Sequence, residues 1–238
     1  MAQAVSAEEG RVARLTATLA ATSLRLPHTM ASGKPQLIYF PIAGRAECAR
    51  LIAAAGGLEI EETAECANKA AFGSPSSLPL LEHGGLKLSQ SLAIESYFAR
   101  IAPKFGGLSP QQVAKDMQFC CIKEDVLAGC VNVIFRNMSE APTAVPAHCD
   151  KWFPVVEGLL PEEGFINGLA FPTPADLAVY NMATGYMPFG SAYKHGKYDY
   201  AAKYPKMKAL VERVAAAPGV KEYIASSKTQ NTPLNSRL

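Results

Sequence analysis

The chain has 238 residues and a mass of 25.4 kDa; 49% of its residues are hydrophobic and 18% are charged, which excludes an intrinsically disordered chain and suggests one large or two small domains. The formal net charge of +2 describes a nearly balanced surface, so no nucleic-acid footprint is expected. The longest apolar runs, such as residues 51–58, are far shorter than the roughly 18 residues that span a bilayer, so no membrane span is expected.

Residues 1–34 differ in composition from the rest of the chain. They are rich in Ala, Ser and Thr, and they carry three arginines but only two acids, Glu8 and Glu9. This composition partly fits an organelle transit peptide, although the two early acids argue against it. We favour an N-terminal extension ahead of an internal start at Met30, and we therefore expect a cytoplasmic protein.

Short strands and helices alternate over the next 70 or so residues. Periodicity and turn residues predict a strand at 36–40, a helix at 44–55, a strand at 58–62, a hairpin within 78–88 and a helix that starts at Gln90 and Ser91. After residue 104 the strand signals disappear. Ser109, Pro110 and Gln112 have the spacing of a capping box and open a long helix that reaches towards Phe135. The sequence thus predicts an α/β domain at 35–104 and an all-helical domain at 105–238.

The six cysteines do not form a metal or redox motif. They contain no CxxC pair, and the adjacent His148 and Cys149 lack further ligands at suitable spacing, so no metal site is predicted. Their positions in apolar stretches favour small buried side chains in a reducing compartment.

Three segments resemble the glutathione transferases: LIYFPIAGRAECARLIAAAG (37–56), SLPLLEHGGLKLSQSLAIESYFAR (77–100) and FPTPADLAVYNM (171–182). The resemblance is greatest to the sigma-like group, which includes glutathione-dependent prostaglandin D synthases. It implies a thioredoxin-like first domain, a helical second domain and a homodimer. It also implies glutathione as co-substrate, with no further cofactor.

Tyr39 is the first candidate catalytic residue, because it ends the first strand just before a helix. A phenol there can donate a hydrogen bond to an anion near the positive end of that helix. The resemblance identifies this anion as the glutathione thiolate, and it assigns Arg45 the role of supporting the same sulfur. Without the resemblance, the pattern favours a strand-end tyrosine packed at the edge of the core for Tyr39, and Arg45 fits an exposed arginine of the first helical turn equally well.

Other residues are candidate ligands of the tripeptide. Gln90 and Ser91 open a helix whose free N–H groups favour a carboxylate, and the resemblance identifies it as that of the γ-glutamyl group. The resemblance also implies that the Leu78-Pro79 bond is cis and exposes the Leu78 backbone to the cysteinyl part of glutathione. For Glu124, ahead of Asp125, it implies a carboxylate that reaches across the dimer interface to the glutathione amine.

The sequence departs from the sigma-like pattern at the glycine end of glutathione. Cys66 and Ala70 occupy the positions of the usual tryptophan and lysine. Lys69 lies one residue away and is the candidate to replace that lysine.

These features predict a glutathione transferase that acts in detoxification. Tyr39 would activate the thiolate for attack on a hydrophobic electrophile or a peroxide. We expect an apolar pocket between two groups of residues, namely Ile42 and Ala43 on one side and Val126, Cys130 and Phe135 on the other. Two alternatives remain. One is a transferase-like binding or structural protein with little turnover, against which the presence of Tyr39, Arg45, Gln90 and Ser91 argues; the other is a glutathione-dependent isomerase, which shares all these residues.

Overall fold

A computed structural model describes residues 33–230, and a four-stranded mixed sheet forms their N-terminal part. The strands, in the spatial order β2-β1-β3-β4, are β1 (Gln36–Ile38), β2 (Glu61–Thr63), β3 (Leu80–His83) and β4 (Leu86–Ser89). β1 pairs in parallel with β2 and antiparallel with β3, which pairs antiparallel with β4. The sheet and its helices form the predicted thioredoxin-like domain.

Two helices accompany this sheet. Helix α1 (Glu47–Gly56) follows a 3-10 turn at Gly44–Ala46 and makes the crossover that two parallel strands require. Helix α2 (Ser91–Ile101) follows the hairpin, as predicted. Leu51 and Ile52 of α1 and Ile94 and Phe98 of α2 are all fully buried, so the apolar faces of the two helices supply much of the core here.

The second strand begins later than predicted. It spans Glu61–Thr63, and the preceding residues predicted as strand are not in the sheet. The N–H of Leu58 donates to Ala53 O at 2.8 Å, closing the end of α1 beyond Gly57, whose φ is +70°. Because this N–H satisfies a helix carbonyl, it is not available to the sheet. Leu58 and Ile60 pack instead against the hydrophobic core.

The remaining described chain is helical, as predicted. Its helices are α3 (Pro110–Arg136), α4 (Ala141–Leu159), α5 (Pro174–Ala183), α6 (Phe189–Gly196), α7 (Tyr200–Lys203), α8 (Pro205–Ala216) and α9 (Val220–Ser226). The capping box predicted at Ser109 and Gln112 is present. Helix α5 is buried along its whole length, so it lies at the centre of the bundle.

Some sequence predictions concern residues outside the described part of the chain or a boundary that the structure does not test. Residues 1–32 and 231–238 lie outside the described part of the chain, and with them almost all of the predicted N-terminal extension. The predicted domain boundary after residue 104 falls within the 3-10 turn Pro103–Phe105 and stays a prediction. None of the helices described between residues 33 and 230 is both long enough and apolar enough to cross a membrane.

Candidate functional site

A cleft of about 290 Å³ lies where the sheet meets the beginnings of α1 and α2. It is lined by Arg45, Ser77, Leu78, Pro79, Gln90 and Ser91. For five of these six residues the resemblance implied a part in the glutathione site, that of Pro79 being its cis bond with Leu78. The exception is Ser77, which carries no sequence signal beyond its position before Leu78-Pro79.

The backbone is unusual on two sides of this cleft. The Leu78-Pro79 bond is cis, as the resemblance implied. Gln90, the residue before α2, has φ 76° and ψ 119°, a conformation that costs free energy in a residue other than glycine. Such conformations cluster at binding sites, and this one places Gln90 and Ser91 at the start of α2, where free N–H groups can bind an anion.

The Tyr39 hydroxyl lies beside the cleft and is held by the backbone of Arg45. The Arg45 N–H donates to the hydroxyl oxygen at 3.0 Å. No acceptor for the hydroxyl's own proton lies within hydrogen-bond distance among residues 33–230, so that proton remains to be donated. Burial raises the pKa of Tyr39, and the Arg45 N–H and the nearby arginine charges only partly offset this. Tyr39 is therefore a neutral donor near pH 7.

Gly44 allows the close approach of the Tyr39 side chain. Its φ is +51°, and a Cβ at this position would lie 2.4 Å from the Tyr39 hydroxyl oxygen. The Gly44 N–H also donates to Met187 O at 3.1 Å, which ties the turn to the helical part of the chain. Only glycine fits this position without moving Tyr39.

Glu124 lies at the site of its own chain. Its carboxylate accepts hydrogen bonds from Arg45 Nη1 at 3.2 Å, Ser91 Oγ at 3.1 Å and Lys123 Nζ at 2.7 Å. Burial raises the pKa of Glu124, but Lys123, Arg45 and the Ser91 bond outweigh it and hold the pKa below its ordinary value. Asp125, the less favoured candidate, is exposed and contributes its main-chain oxygen to a bond with His148.

A buried ion pair behind Glu124 was not predicted from the sequence. The side chains of Lys123 and Glu95 are 2% and 1% exposed, and Lys123 Nζ lies 2.5 Å from Glu95 Oε1. Burial lowers the pKa of Lys123, but the two carboxylates that face it outweigh burial and hold that pKa well above its usual value. Lys123 lies three and four residues before the apolar Val126 and Leu127, and this helical spacing was the available signal for its burial.

The predicted apolar pocket is not assembled as an open site. Ala43 and Val126 are 0% exposed and Cys130 is 1% exposed, so these three residues belong to the core. Phe135 is 60% exposed and Ile42 is half-buried. Val126 and Cys130 are buried because one face of the long helix α3 packs within its own domain. Cys130, for example, has its thiol pKa raised by a hydrogen bond with Cys149 of α4 and by burial.

Lys69 lies next to the cleft but not in its wall. Its ammonium donates to Ser76 O at 3.1 Å, one residue before the cleft residue Ser77. Cys66 is half-buried and packs against Ile38, Phe72 and Leu80, whereas Ala70 is exposed. Neither Cys66 nor Ala70 offers a cation for the glycine carboxylate, and Lys69 keeps two ammonium protons available.

The cysteines follow the sequence prediction in part. All six are free thiols, four are buried, Cys66 is half-buried and Cys121 is exposed. Within residues 33–230, no group of three or more His, Cys, Asp or Glu side chains is arranged to hold a metal ion.

Two family models match this chain. The glutathione S-transferase N-terminal domain matches residues 35–100, and the glutathione S-transferase C-terminal domain matches residues 124–227. Together they cover more than two thirds of the chain, in the order and at the positions of its α/β and helical parts. The chain belongs to the glutathione S-transferase superfamily. The prediction of a transferase, and of glutathione as its co-substrate, is confirmed at the level of the superfamily.

Individual relatives resemble this transferase over most of its length. Glutathione S-transferase A1 of Mus musculus is 25% identical over 218 residues, covering 87% of this chain and 94% of its own. The structure of the glutathione S-transferase from Ascaris lumbricoides superposes with a TM-score of 0.66 at 26% identity, covering 82% and 98% of the two chains. Monomeric Na-GST-3 of Necator americanus gives a TM-score of 0.65 at 25% identity, covering 82% and 97%. At such identities these similarities do not select the sigma-like class.

Proposed function

We propose that this superfamily member is a sigma-like glutathione transferase in which Tyr39 stabilises the glutathione thiolate. The observation that carries the proposal is the bond from the Arg45 N–H to the Tyr39 hydroxyl. It fixes a neutral phenol beside a polar cleft and leaves the phenol proton free to be donated. Arg45, which also lines the cleft, supplies positive charge to the same sulfur.

The magnitude of this stabilisation fits the chemistry. A free thiol with a pKa of about 8.5 is only about 3% ionised at pH 7. Lowering that pKa by two units makes most of the thiol thiolate and requires about 2.7 kcal/mol of differential stabilisation. One hydrogen bond to a charged group contributes about 1.5–3 kcal/mol. A single donated bond from Tyr39, helped by Arg45, is thus sufficient.

The rest of the tripeptide is proposed to lie along the cleft. The γ-glutamyl carboxylate binds at Gln90 and Ser91, and the cysteinyl backbone pairs with that of Leu78. Glu124 binds the glutathione amine; because its carboxylate is already 3.1 Å from Ser91 Oγ in the same chain, this role does not require a partner subunit. Lys69 is proposed to bind the glycine carboxylate.

The second substrate is proposed to be a hydrophobic electrophile or a peroxide. The thiolate attacks an electrophilic carbon and forms a C–S bond while the leaving group departs with its electron pair. Phe40 is 51% exposed with its ring 5.6 Å from that of Tyr39, and Ile42 is half-buried. These two side chains supply apolar surface near the sulfur. We also propose the cytoplasmic role in detoxification that was expected from the sequence.

The test is the substitution Tyr39→Phe, assayed with glutathione and 1-chloro-2,4-dinitrobenzene. Loss of one oriented donor should lower kcat by about 10–1000-fold and leave the Kd of glutathione nearly unchanged. Tyr97→Phe is the matched control, because it removes a hydroxyl bonded to His83 Nδ1 at 2.8 Å and not to the cleft. This control should retain its activity.

The outcomes separate the alternatives. Full turnover of Tyr39→Phe at neutral pH would contradict the mechanism and assign the role to another donor. A wild-type protein that binds glutathione but conjugates neither this aryl halide nor other electrophiles would be a binding or structural protein. One that only rearranges an endoperoxide in the presence of glutathione would be an isomerase.

A further inference from the structure

A single buried guanidinium holds the segment that follows Tyr39. Arg50, on α1, is 2% exposed. Its Nη1 donates to Ile42 O at 2.9 Å and to Ala43 O at 3.3 Å, and its Nη2 donates to Phe40 O at 3.2 Å. Its Cζ also lies 5.7 Å from the centre of the Tyr39 ring. The backbone geometry of the loop at 40–43 therefore depends on the position of the Arg50 guanidinium.

Two carboxylates hold Arg50 in place. Its Nη1 lies 3.2 Å from Glu47 Oε2, and its Nε lies 2.7 Å from Glu62 Oε2. Burial lowers the pKa of Arg50, but Glu62 and Glu47 outweigh it, so the guanidinium remains charged. Glu47 is itself 0% exposed, and a buried carboxylate needs several donors.

The donors to Glu47 come from the other end of the chain. Tyr223 OH donates to Glu47 Oε1 at 2.8 Å, Gln230 Nε2 to the same oxygen at 2.7 Å, and Thr229 Oγ1 to Oε2 at 3.0 Å. These residues lie 176–183 positions after Glu47 in the sequence. They orient its carboxylate towards Arg50.

We propose that Tyr223, Thr229 and Gln230, which we call the C-terminal latch, position Tyr39 through Glu47 and Arg50. The latch residues are positioning residues and do not touch the reacting atoms. The catalytic part of this inference rests on the proposed function. The physical reason is that a hydroxyl stabilises a thiolate only at hydrogen-bond geometry, and a displacement of about 1 Å can cost about 100-fold in rate. Without the latch bonds, the Glu47 carboxylate is no longer oriented towards Arg50. The Arg50 guanidinium then loses its fixed position, and the loop at 40–43 that it holds becomes more mobile.

The test compares Thr229→Val combined with Gln230→Leu against two controls. Ser226→Ala removes a hydroxyl that donates to Glu222 O at 2.9 Å within α9, and Thr229→Ser keeps the hydroxyl that reaches Glu47. Four quantities are measured: hydrogen–deuterium exchange of the amides at 40–46, the pKa of the bound glutathione thiol from ultraviolet absorbance, kcat with 1-chloro-2,4-dinitrobenzene, and the Kd of glutathione.

For the double variant we expect amide exchange at 40–46 to rise about fivefold or more. The pKa of the bound thiol should rise by about half a unit to one unit, and kcat at pH 6.5 should fall about 5- to 20-fold, while the Kd of glutathione changes less than about twofold. Both controls should match the wild type. If the double variant does not fold, the single variant Thr229→Val, which removes one of the three latch bonds to Glu47, gives the same comparison with smaller changes.

Unchanged exchange at 40–46 in a folded variant would overturn the latch. Raised exchange with an unaltered thiol pKa and kcat would overturn its role in positioning Tyr39. A wild type that forms no glutathione thiolate would overturn the proposed function and the catalytic part of this inference. In that case the exchange measurement alone decides whether the latch holds the loop.

Discussion

The buried ion pair of Lys123 and Glu95 allows a quantitative prediction of how much the substitution Lys123→Met destabilises the protein. Lys123→Met removes the only ammonium that faces Glu95 among the described residues and one of three donors to Glu124. Glu124 keeps Arg45 and Ser91 and is 23% exposed at its side chain, so it remains solvated. Glu95, with a side chain 1% exposed, is left as an unpaired carboxylate in the core.

The size of the expected loss in stability follows from the burial of the Glu95 carboxylate. Removing one partner of a buried ion pair costs about 3–5 kcal/mol, because the remaining charge is uncompensated. For a chain of this size 1 kcal/mol shifts Tm by about 2–4 °C, so Lys123→Met should lower Tm by about 6–20 °C. Lys151→Met, at an exposed lysine of α4, is the control and should change the free energy of unfolding by less than about 0.5 kcal/mol.

A double substitution and a pH series test the cause. Adding Glu95→Leu to Lys123→Met removes the unpaired charge and should restore most of the loss, measured by urea unfolding. Burial already raises the pKa of Glu95, and without Lys123 it rises further above its unfolded value. Protonation of Glu95 then stabilises the folded variant. The loss in free energy of unfolding relative to wild type is therefore largest at pH values above that raised pKa, and it shrinks as the pH falls through it.

Two results would refute this reasoning. The first is a double variant as unstable as Lys123→Met alone, which would assign the loss to packing of the lysine stem. The second is an equal loss in free energy of unfolding relative to wild type at pH 7.5 and pH 5.5, which would show that Glu95 carries no unpaired charge in the variant.

Three further predictions concern the capping of α5, the glutathione site and the assembly. Asp176→Ala should lower the free energy of unfolding by about 2–5 kcal/mol in urea titrations, because the buried N–H groups of Ile166 and Thr173, each 2.8 Å from an Asp176 oxygen, lose their acceptor. Lys69→Ala should raise the calorimetric Kd of glutathione about tenfold but leave that of γ-glutamylcysteine, which lacks the glycine carboxylate, nearly unchanged. Light scattering at micromolar concentration should show a homodimer.

Each of these has a contradicting result. A loss below about 1 kcal/mol for Asp176→Ala would mean that the freed N–H groups find other acceptors. Equal losses for both ligands would show that Lys69 does not bind the glycine carboxylate, and no loss for either would make it a solvated surface lysine. A stable monomer with intact glutathione binding would contradict the dimer; the similar protein from Necator americanus is described as monomeric.

Local sequence patterns determined much of this protein. Residues three and four apart in a helix share a face, and capping residues act on N–H groups within one turn, so the helices and the Ser109 capping box were predictable. The roles of Tyr39, Leu78-Pro79 and Gln90-Ser91 were not predictable from local patterns alone. They came from the resemblance to the glutathione transferases, which contiguous motifs around these residues carry.

Only the tertiary structure decided which distant groups meet. β2 starts late because the Leu58 N–H is already bonded at the end of α1. Val126 and Cys130 are buried because other helices cover their face of α3. Lys123 meets Glu95 from another helix, and the donors to Glu47 come from the far end of the chain. No local pattern encodes such pairs, because a buried charge is stable only beside a partner that the completed fold supplies.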